Sequence, residues 1–179
     1  MQKLIFTLLS LLIYASPASA QKKEQTFQEK LIKYAGESFV GKIIYPVDDN
    51  YPFGNKELVN AFIACSDVTT AIAFNIGEDQ TLTWLLTKTP AGLQLKHDDR
   101  QADGTPDYFT MYGGISEEPL TSLEHFFPAD EQTAELQPGA AGSEWTISIS
   151  PDGQTLSYKL SWNSELRYHL AFDLTKPIN

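Results

Sequence analysis

Apolar and polar side chains alternate through the C-terminal part of the chain, and a period of two residues is typical of a β-strand with one face in water. The alternation breaks at Pro151-Asp152-Gly153-Gln154 and at Asn163-Ser164, two segments with turn-forming residues. The pattern therefore predicts a meander of three antiparallel strands. The apolar positions of these strands are Trp145, Ile147 and Ile149, then Leu156, Tyr158, Leu160 and Trp162, then Leu166, Tyr168, Leu170 and Phe172.

The same period continues upstream with less contrast, after one short helix. That helix is predicted from Phe27, Leu31 and Tyr34, which recur at helical spacing before Gly36. From Gly113 to Ser143 the strand signal fades, so this segment is interpreted as a long loop. Six further strands are predicted at Phe39–Tyr45, Leu58–Cys65, Val68–Ile76, Thr81–Thr87, Leu93–His97 and Asp107–Tyr112.

About nine short strands after one helix favour an all-β fold, a closed antiparallel meander barrel, because closure leaves no exposed sheet edge. A β-sandwich of the jelly-roll kind is the alternative. The layout of residues 24–174 resembles the lipocalin and fatty-acid-binding-protein group, and Gly36-Glu37-Ser38-Phe39-Val40-Gly41 is similar to the glycine-aromatic start of the first lipocalin strand. This resemblance implies an up-and-down barrel.

Residues Met1–Ala20 have the features of a secretory signal peptide. Lys3 gives the positive start, Leu4–Tyr14 is a short apolar run, and Ala18-Ser19-Ala20 is a small-residue cleavage site. We therefore expect an exported protein, periplasmic or extracellular, with residues 21–179 as a single barrel domain.

The composition is that of an acidic protein, since 13 Lys and Arg face 23 Asp and Glu for a net charge of −10. A field of this sign repels phosphate, so we expect no nucleic-acid partner. The apolar run of the leader is shorter than a bilayer span, and no membrane insertion of the mature chain is expected. Cys65 is the sole cysteine, which excludes an intramolecular disulfide. The oligomeric state is left open.

Most of the candidate chemistry lies between residues 97 and 107, where one His, one Arg and four Asp follow a predicted strand. A first hypothesis is Ca²⁺, which prefers several oxygen ligands from a loop that turns at a glycine. Asp99, Gln101, Asp103, Gly104 and Asp107 occupy loop positions 1, 3, 5, 6 and 9, and this spacing resembles the calcium loops of EF-hand, dockerin and thrombospondin type-3 proteins. No other cofactor is predicted.

A second hypothesis makes the same segment part of a ligand or catalytic site. His97 continues the inward face of its strand and would lie at the barrel mouth, where it could act as a general base. Arg100 could hold a carboxylate. The chain has no Gly-x-Ser-x-Gly or His-Glu-x-x-His motif, so no catalytic residue is assigned. A third hypothesis is structural: Asp side chains cap turns, and Arg100 forms ion pairs with them.

Three short motifs also occur together. They are His97-Asp98-Asp99-Arg100-Gln101-Ala102-Asp103-Gly104, Tyr112-Gly113-Gly114 and Phe126-Phe127-Pro128-Ala129-Asp130. In this respect the chain is similar to uncharacterised exported bacterial proteins that carry His-Asp-x-Arg-x-x-Asp-Gly, Tyr-Gly-Gly and Phe-Phe-Pro-Ala-Asp. The resemblance implies no particular activity.

Together these features predict an exported, non-enzymatic β-barrel that binds a small, mostly apolar ligand. The loops 46–56, 98–107 and 113–143 would form its mouth. One alternative is a hydrolase or lyase that uses His97 and nearby carboxylates, and another is a calcium-stabilised carbohydrate-binding module. The candidate ligand-binding residues are His97, Arg100, Trp84, Tyr112 and Phe126.

Overall fold

The structure is a computed structural model, and it describes residues 23–45 and 53–178. The predicted signal peptide and most of the loop 46–56 lie outside the described residues. Within these two ranges the chain forms two α-helices, α1 (Phe27–Leu31) and α2 (Glu131–Leu136), and ten strands. The strands are β1 (Ser38–Tyr45), β2 (Leu58–Cys65), β3 (Thr69–Ile76), β4 (Asp79–Thr89), β5 (Gly92–Asp99), β6 (Tyr112–Ser116), β7 (Glu124–Pro128), β8 (Ser143–Ile149), β9 (Thr155–Trp162) and β10 (Glu165–Ile178).

All ten strands belong to one antiparallel sheet in the order β6-β5-β4-β3-β2-β1-β10-β9-β8-β7. The sheet curls until β6 faces β7, where Gly114 forms a bridge with Ala129. The Asp130 N–H also donates to the Gly113 carbonyl oxygen at 2.9 Å. The result is a nearly closed meander barrel, which confirms the predicted fold class. The sandwich alternative is wrong, because the strands form one curved sheet.

Helix α1 closes one end of the barrel. A capping box begins it, since Thr26 Oγ1 accepts from the Glu29 N–H at 3.3 Å and Glu29 Oε2 accepts from the Thr26 N–H at 2.7 Å. Phe27 and Leu31 then insert into the barrel and are fully buried. After a 3₁₀ turn the chain leaves the helix through Gly36 at φ +85°. The short helix is therefore confirmed, and it leaves the opposite end of the barrel as the mouth.

Aromatic rings fill the middle of the barrel. Trp84 stacks on Tyr158 with 4.1 Å between ring centroids and contacts Phe74 at 4.8 Å. Phe172 packs edge-on against Trp84 at 6.2 Å. All four side chains are buried. These packed rings occupy the barrel interior between α1 and the mouth.

The prediction is wrong between residues 107 and 143. This segment contains the strands β6 and β7 and the helix α2, which the sequence pattern did not predict. The predicted strand Asp107–Tyr112 is wrong: β6 begins at Tyr112 and runs to Ser116. Gly113 and Gly114 carry no side chains, so the alternation that marks a strand is lost there. Both glycines are required by packing, since a Cβ on Gly114 would lie 1.8 Å from the Pro128 carbonyl oxygen.

None of the helices within residues 23–45 and 53–178 has the length and apolar content that crossing a bilayer requires.

Candidate functional site

A layer of inward-facing side chains surrounds the barrel mouth. On neighbouring antiparallel strands, directly paired residues project from the same face of the sheet. The register pairs Phe127 with Trp145, Trp145 with Leu160, and Leu160 with Tyr168, so these side chains form a continuous wall across β7 to β10. Asp99 is the next inward position after His97 on β5 and closes the layer on the other side.

Inside this layer lies an open cleft with two connected parts. Gln137, Ala140, Ser143 and Leu160 line both parts. We call the first part the tryptophan hollow, which has a volume of about 620 Å³. It is lined in addition by Gly139, Trp162 and Arg167. We call the second part the acidic hollow, which has a volume of about 370 Å³. It is lined in addition by Asp99, Asp107, Phe109, Tyr112, Trp145 and Tyr168.

Trp162 stands at the rim of the tryptophan hollow. Its indole N–H donates to the Gly139 carbonyl oxygen at 3.0 Å, which joins the end of β9 to the segment after α2. The Arg167 guanidinium lies over the Trp162 ring at 4.9 Å from the centroid and is 3.1 Å from Glu165 Oε2. The indole is nevertheless 40% exposed, so an apolar surface faces the cleft.

An ion pair holds α2 against the barrel and so fixes this side of the cleft. Lys96 Nζ donates to Asp130 Oδ2 at 2.7 Å and to Gln132 Oε1 at 2.9 Å, and the Lys96 side chain is only 8% exposed. Asp130 also caps α2 by accepting from the Thr133 N–H at 2.9 Å. Burial raises the pKa of Asp130, but the bonds from Lys96 and Thr133 outweigh it and hold the pKa below its usual value.

We expect Asp130→Ala to lower the free energy of unfolding by about 2 kcal/mol, because it leaves the buried Lys96 ammonium with Gln132 but without a carboxylate, and because it removes a helix cap. Urea denaturation followed by circular dichroism measures this. The control is Glu165→Ala, which breaks an ion pair whose carboxylate is 74% exposed and should cost less than about 0.5 kcal/mol. Equal losses in the two variants would contradict the assignment.

His97, the centre of the sequence-based hypotheses, points into the barrel but lies beneath the cleft. It is fully buried, and Nδ1 is 3.1 Å from the Tyr112 carbonyl oxygen while Nε2 is 2.7 Å from the Tyr158 hydroxyl. Since a carbonyl only accepts, Nδ1 carries the proton and Nε2 accepts from Tyr158. Burial lowers the pKa of His97 to about 3, so the ring is neutral. Neither the carboxylate contact nor the exposure of a general base is present.

Of the other candidate ligand residues, Tyr112 alone lines the cleft. It stacks on His97 with ring centroids 4.4 Å apart and forms part of the acidic hollow. Trp84 is fully buried in the core below. Phe126 is on the outer face of β7, because His125 and Phe127 take the inward positions. Arg100 is on the surface and pairs with Asp98 at 2.7 Å.

The four candidate calcium ligands divide between two directions. Asp99 and Asp107 line the acidic hollow. Gln101 donates to Asp107. Asp103 instead accepts from the Thr105 hydroxyl at 2.7 Å and from the Thr105 N–H at 3.0 Å. Across the described ranges, no cluster of three or more His, Cys, Asp or Glu side chains is arranged to hold a metal ion. The hydrogen bonds within this loop are those of the structural hypothesis.

Four residues that line the cleft were not among the candidate ligand-binding residues predicted from the sequence. They are Leu160, Trp162, Arg167 and Tyr168. The sequence contained evidence for three of them, because the alternation put Leu160, Trp162 and Tyr168 on the apolar faces of their strands. Arg167 could not be found in this way, since it lies at an irregularity between Leu166 and Tyr168 where the strand register shifts.

No protein-family model, curated protein or solved structure matches this chain.

Proposed function

We propose that this protein is an exported, non-enzymatic barrel that binds a small molecule with an apolar body in its mouth cleft. The observation that carries the proposal is the tryptophan hollow, about 620 Å³ in volume and open to the acidic hollow beside it. A volume of this order is in the range of small-molecule sites, which are about 300–1,000 Å³. The leader Met1–Ala20 supports export.

The lining supports an apolar ligand body with a few polar contacts. Leu160 and Trp162 offer apolar surface in the tryptophan hollow, and Phe109, which is 42% exposed, does so in the acidic hollow. Burying such surface contributes roughly 25 cal/mol for each Å² removed from water. Gln137 and Arg167 supply polar groups at the edge, where they can orient a bound molecule.

The carbohydrate-binding alternative requires flat, coplanar aromatic surfaces. Tyr108 and Phe109 are the exposed aromatic pair nearest to this chemistry, at 78% and 42% exposure. Their rings meet edge to face at 84°, so the pair offers no common plane for stacking on a sugar. This geometry favours the ligand-binding proposal over the carbohydrate-binding one.

Trp162→Ala is expected to weaken binding of N-phenylnaphthylamine, a neutral apolar dye, about tenfold, because an aromatic anchor of a ligand site carries more than 1 kcal/mol. Dye fluorescence measures the dissociation constant. The matched control is Phe126→Ala, since Phe126 is 39% exposed and Trp162 is 40% exposed, but Phe126 is on the outer face of β7.

The dye should bind the Phe126→Ala variant as it binds the unmodified protein. If the dye does not bind at all, or if the two variants lose the same affinity, the cleft is not the ligand site and the proposal fails.

A further inference from the structure

The lining of the acidic hollow is different from that of the tryptophan hollow. Its aromatic side chains are Phe109, Tyr112, Trp145 and Tyr168, and its carboxylates are Asp99 and Asp107. Tyr112 and Trp145 pack against each other at an angle of 44° with ring centroids 5.8 Å apart, and Phe109, which is 42% exposed, is the most exposed aromatic side chain of this lining. Among the described residues that line this hollow there is no Lys, Arg or His. The hollow is therefore aromatic and negatively charged, without a protein cation.

The pKa shifts and ion pairs of the lining also indicate a negatively charged hollow. Burial raises the pKa of Asp99, and the negative charges of Asp107 and Asp79 add to this effect, while hydrogen bonds from Thr81 and from the Arg100 N–H oppose it without cancelling it. Burial also raises the pKa of Tyr112, and the charge of Asp99 adds to the effect, so the phenol stays neutral. The nearest guanidinium in the sequence, Arg100, is committed to Asp98 through two hydrogen bonds of 2.7 and 2.9 Å. Negative charge in the hollow is thus left without a protein counter-ion.

We propose that the acidic hollow binds the positively charged head of an organic cation, an amine or a quaternary ammonium group, while the apolar part of the same molecule lies in the tryptophan hollow. This inference rests on the proposed function and names the class of ligand. Ring faces attract cations through their quadrupole, and nearby carboxylates strengthen the attraction. The net charge of −10 also draws cations toward the protein.

An organic cation fits this lining better than a metal ion does. A hard cation such as Ca²⁺ needs about six to eight oxygen ligands. Asp99 and Asp107 are the two carboxylates of the lining, and both oxygens of Asp107 already accept a hydrogen bond, from the Phe109 N–H at 2.9 Å and from the Gln101 amide, so the hollow falls short of this number. Aromatic faces supply no oxygen lone pairs, but they suit a weakly hydrated ammonium group with methyl or methylene substituents.

The experiment compares two molecules of the same shape that differ only in charge. Benzyltrimethylammonium is the cation, and neopentylbenzene, in which carbon replaces the nitrogen, is the neutral counterpart. Ligand-observed NMR titration gives both dissociation constants. We expect the cation to bind at least about tenfold more tightly, which is the order of a desolvated cation–aromatic interaction.

Asp99→Asn and Asp107→Asn should each weaken binding of the cation about fivefold or more and change binding of the neutral compound less than about twofold. The control is Asp103→Asn, in the same loop, whose side chain is bonded to Thr105 and should leave both affinities unchanged. If Asp99→Asn fails to fold, the dependence of binding on salt provides a second readout with the unmodified protein. Raised NaCl should weaken binding of the cation and should leave binding of the neutral compound unchanged.

The outcomes separate this inference from the proposed function. If both compounds bind with equal affinity, the charge preference is wrong and the apolar cleft stands. If neither compound nor N-phenylnaphthylamine binds, the proposed function itself fails. A further titration adds CaCl₂ in place of NaCl at constant ionic strength. If Ca²⁺ displaces benzyltrimethylammonium and binds more tightly than it does, the hollow is an inorganic cation site and the inference is overturned.

Discussion

Replacing Gly114 with alanine is expected to lower the free energy of unfolding by about 4 kcal/mol or more, enough to abolish a stable native state in a domain of ordinary stability. The added Cβ would lie 1.8 Å from the carbonyl oxygen and 2.9 Å from the carbonyl carbon of Pro128. Both are backbone atoms of β7, so no side-chain rotation relieves the clash. The strands must separate where Gly114 bridges Ala129, which exposes the inward side chains of both.

Urea denaturation and near-ultraviolet circular dichroism test this expectation. The control is Gly139→Ala, because a Cβ on Gly139 meets nothing within 4 Å. It should unfold within about 0.5 kcal/mol of the unmodified protein. If Gly114→Ala were as stable as the control, β6 and β7 could not be in the close contact described above.

Acidification from pH 7 to pH 4 is expected to reduce stability by about 3 kcal/mol through His97 alone. Burial lowers the pKa of His97 to about 3, whereas the unfolded chain has the ordinary value of 6.5. As the pH falls below 6.5, the unfolded state takes up a proton that the native state refuses. The stability is therefore fully present above pH 6.5 and is lost as the pH falls toward about 3. His125 adds to the loss, because burial lowers its pKa to about 4.

Carboxylates act in a separate pH window. The hydroxyl and N–H of Thr175 lower the pKa of Asp173 from 3.8 to about 2, so its contribution to stability is present above pH 3.8 and is lost as the pH falls from there to about 2. Between pH 6.5 and 4 the slope of stability therefore reports on the histidines. We expect His97→Gln to reduce this slope and to leave the part that is due to His125, and we expect His169→Gln, at a half-buried outward position, to change it less.

Chemical denaturation at half-unit pH intervals measures the slope. A slope that His97→Gln leaves unchanged would mean that this ring is not the buried, neutral group described here.

The fold could be predicted where strands are long and have one wet face. The meander of β8, β9 and β10 was correct because each strand shows the alternation over seven residues or more. The strand prediction was wrong at β6 and β7, because each has five residues and shows too little alternation to be recognised. In β7 the run His125-Phe126-Phe127 is apolar or aromatic on both faces, so the phase could not be read, and Phe126 was chosen where Phe127 points inward.

The site was harder to predict, because depth along the barrel is set by elements far apart in the sequence. The inward direction of His97 follows from alternation with Leu93 and Leu95. Its burial depends on Tyr158, 61 residues away, and on Tyr112, which stacks above it. The cleft wall needs α2 and the 3₁₀ turn Pro138–Ala140, which the alternation of strands cannot reveal.

The pairing of β1 with β10 makes the barrel a ring in which each strand other than these two lies between its neighbours in the chain. In a linear meander the weakest closure falls between the first and last strands. Here those strands share a long ladder, and the gap falls between β6 and β7, which residues 117–123 connect covalently. Joining residue 178 to residue 23 through a linker, which keeps α1, and cutting within 117–123 would therefore yield a permuted chain with every paired strand consecutive. The order of strands around the barrel therefore does not depend on where the chain begins. In the natural order, residues 117–123 join β6 and β7 covalently at the place where the barrel is closed by an isolated bridge.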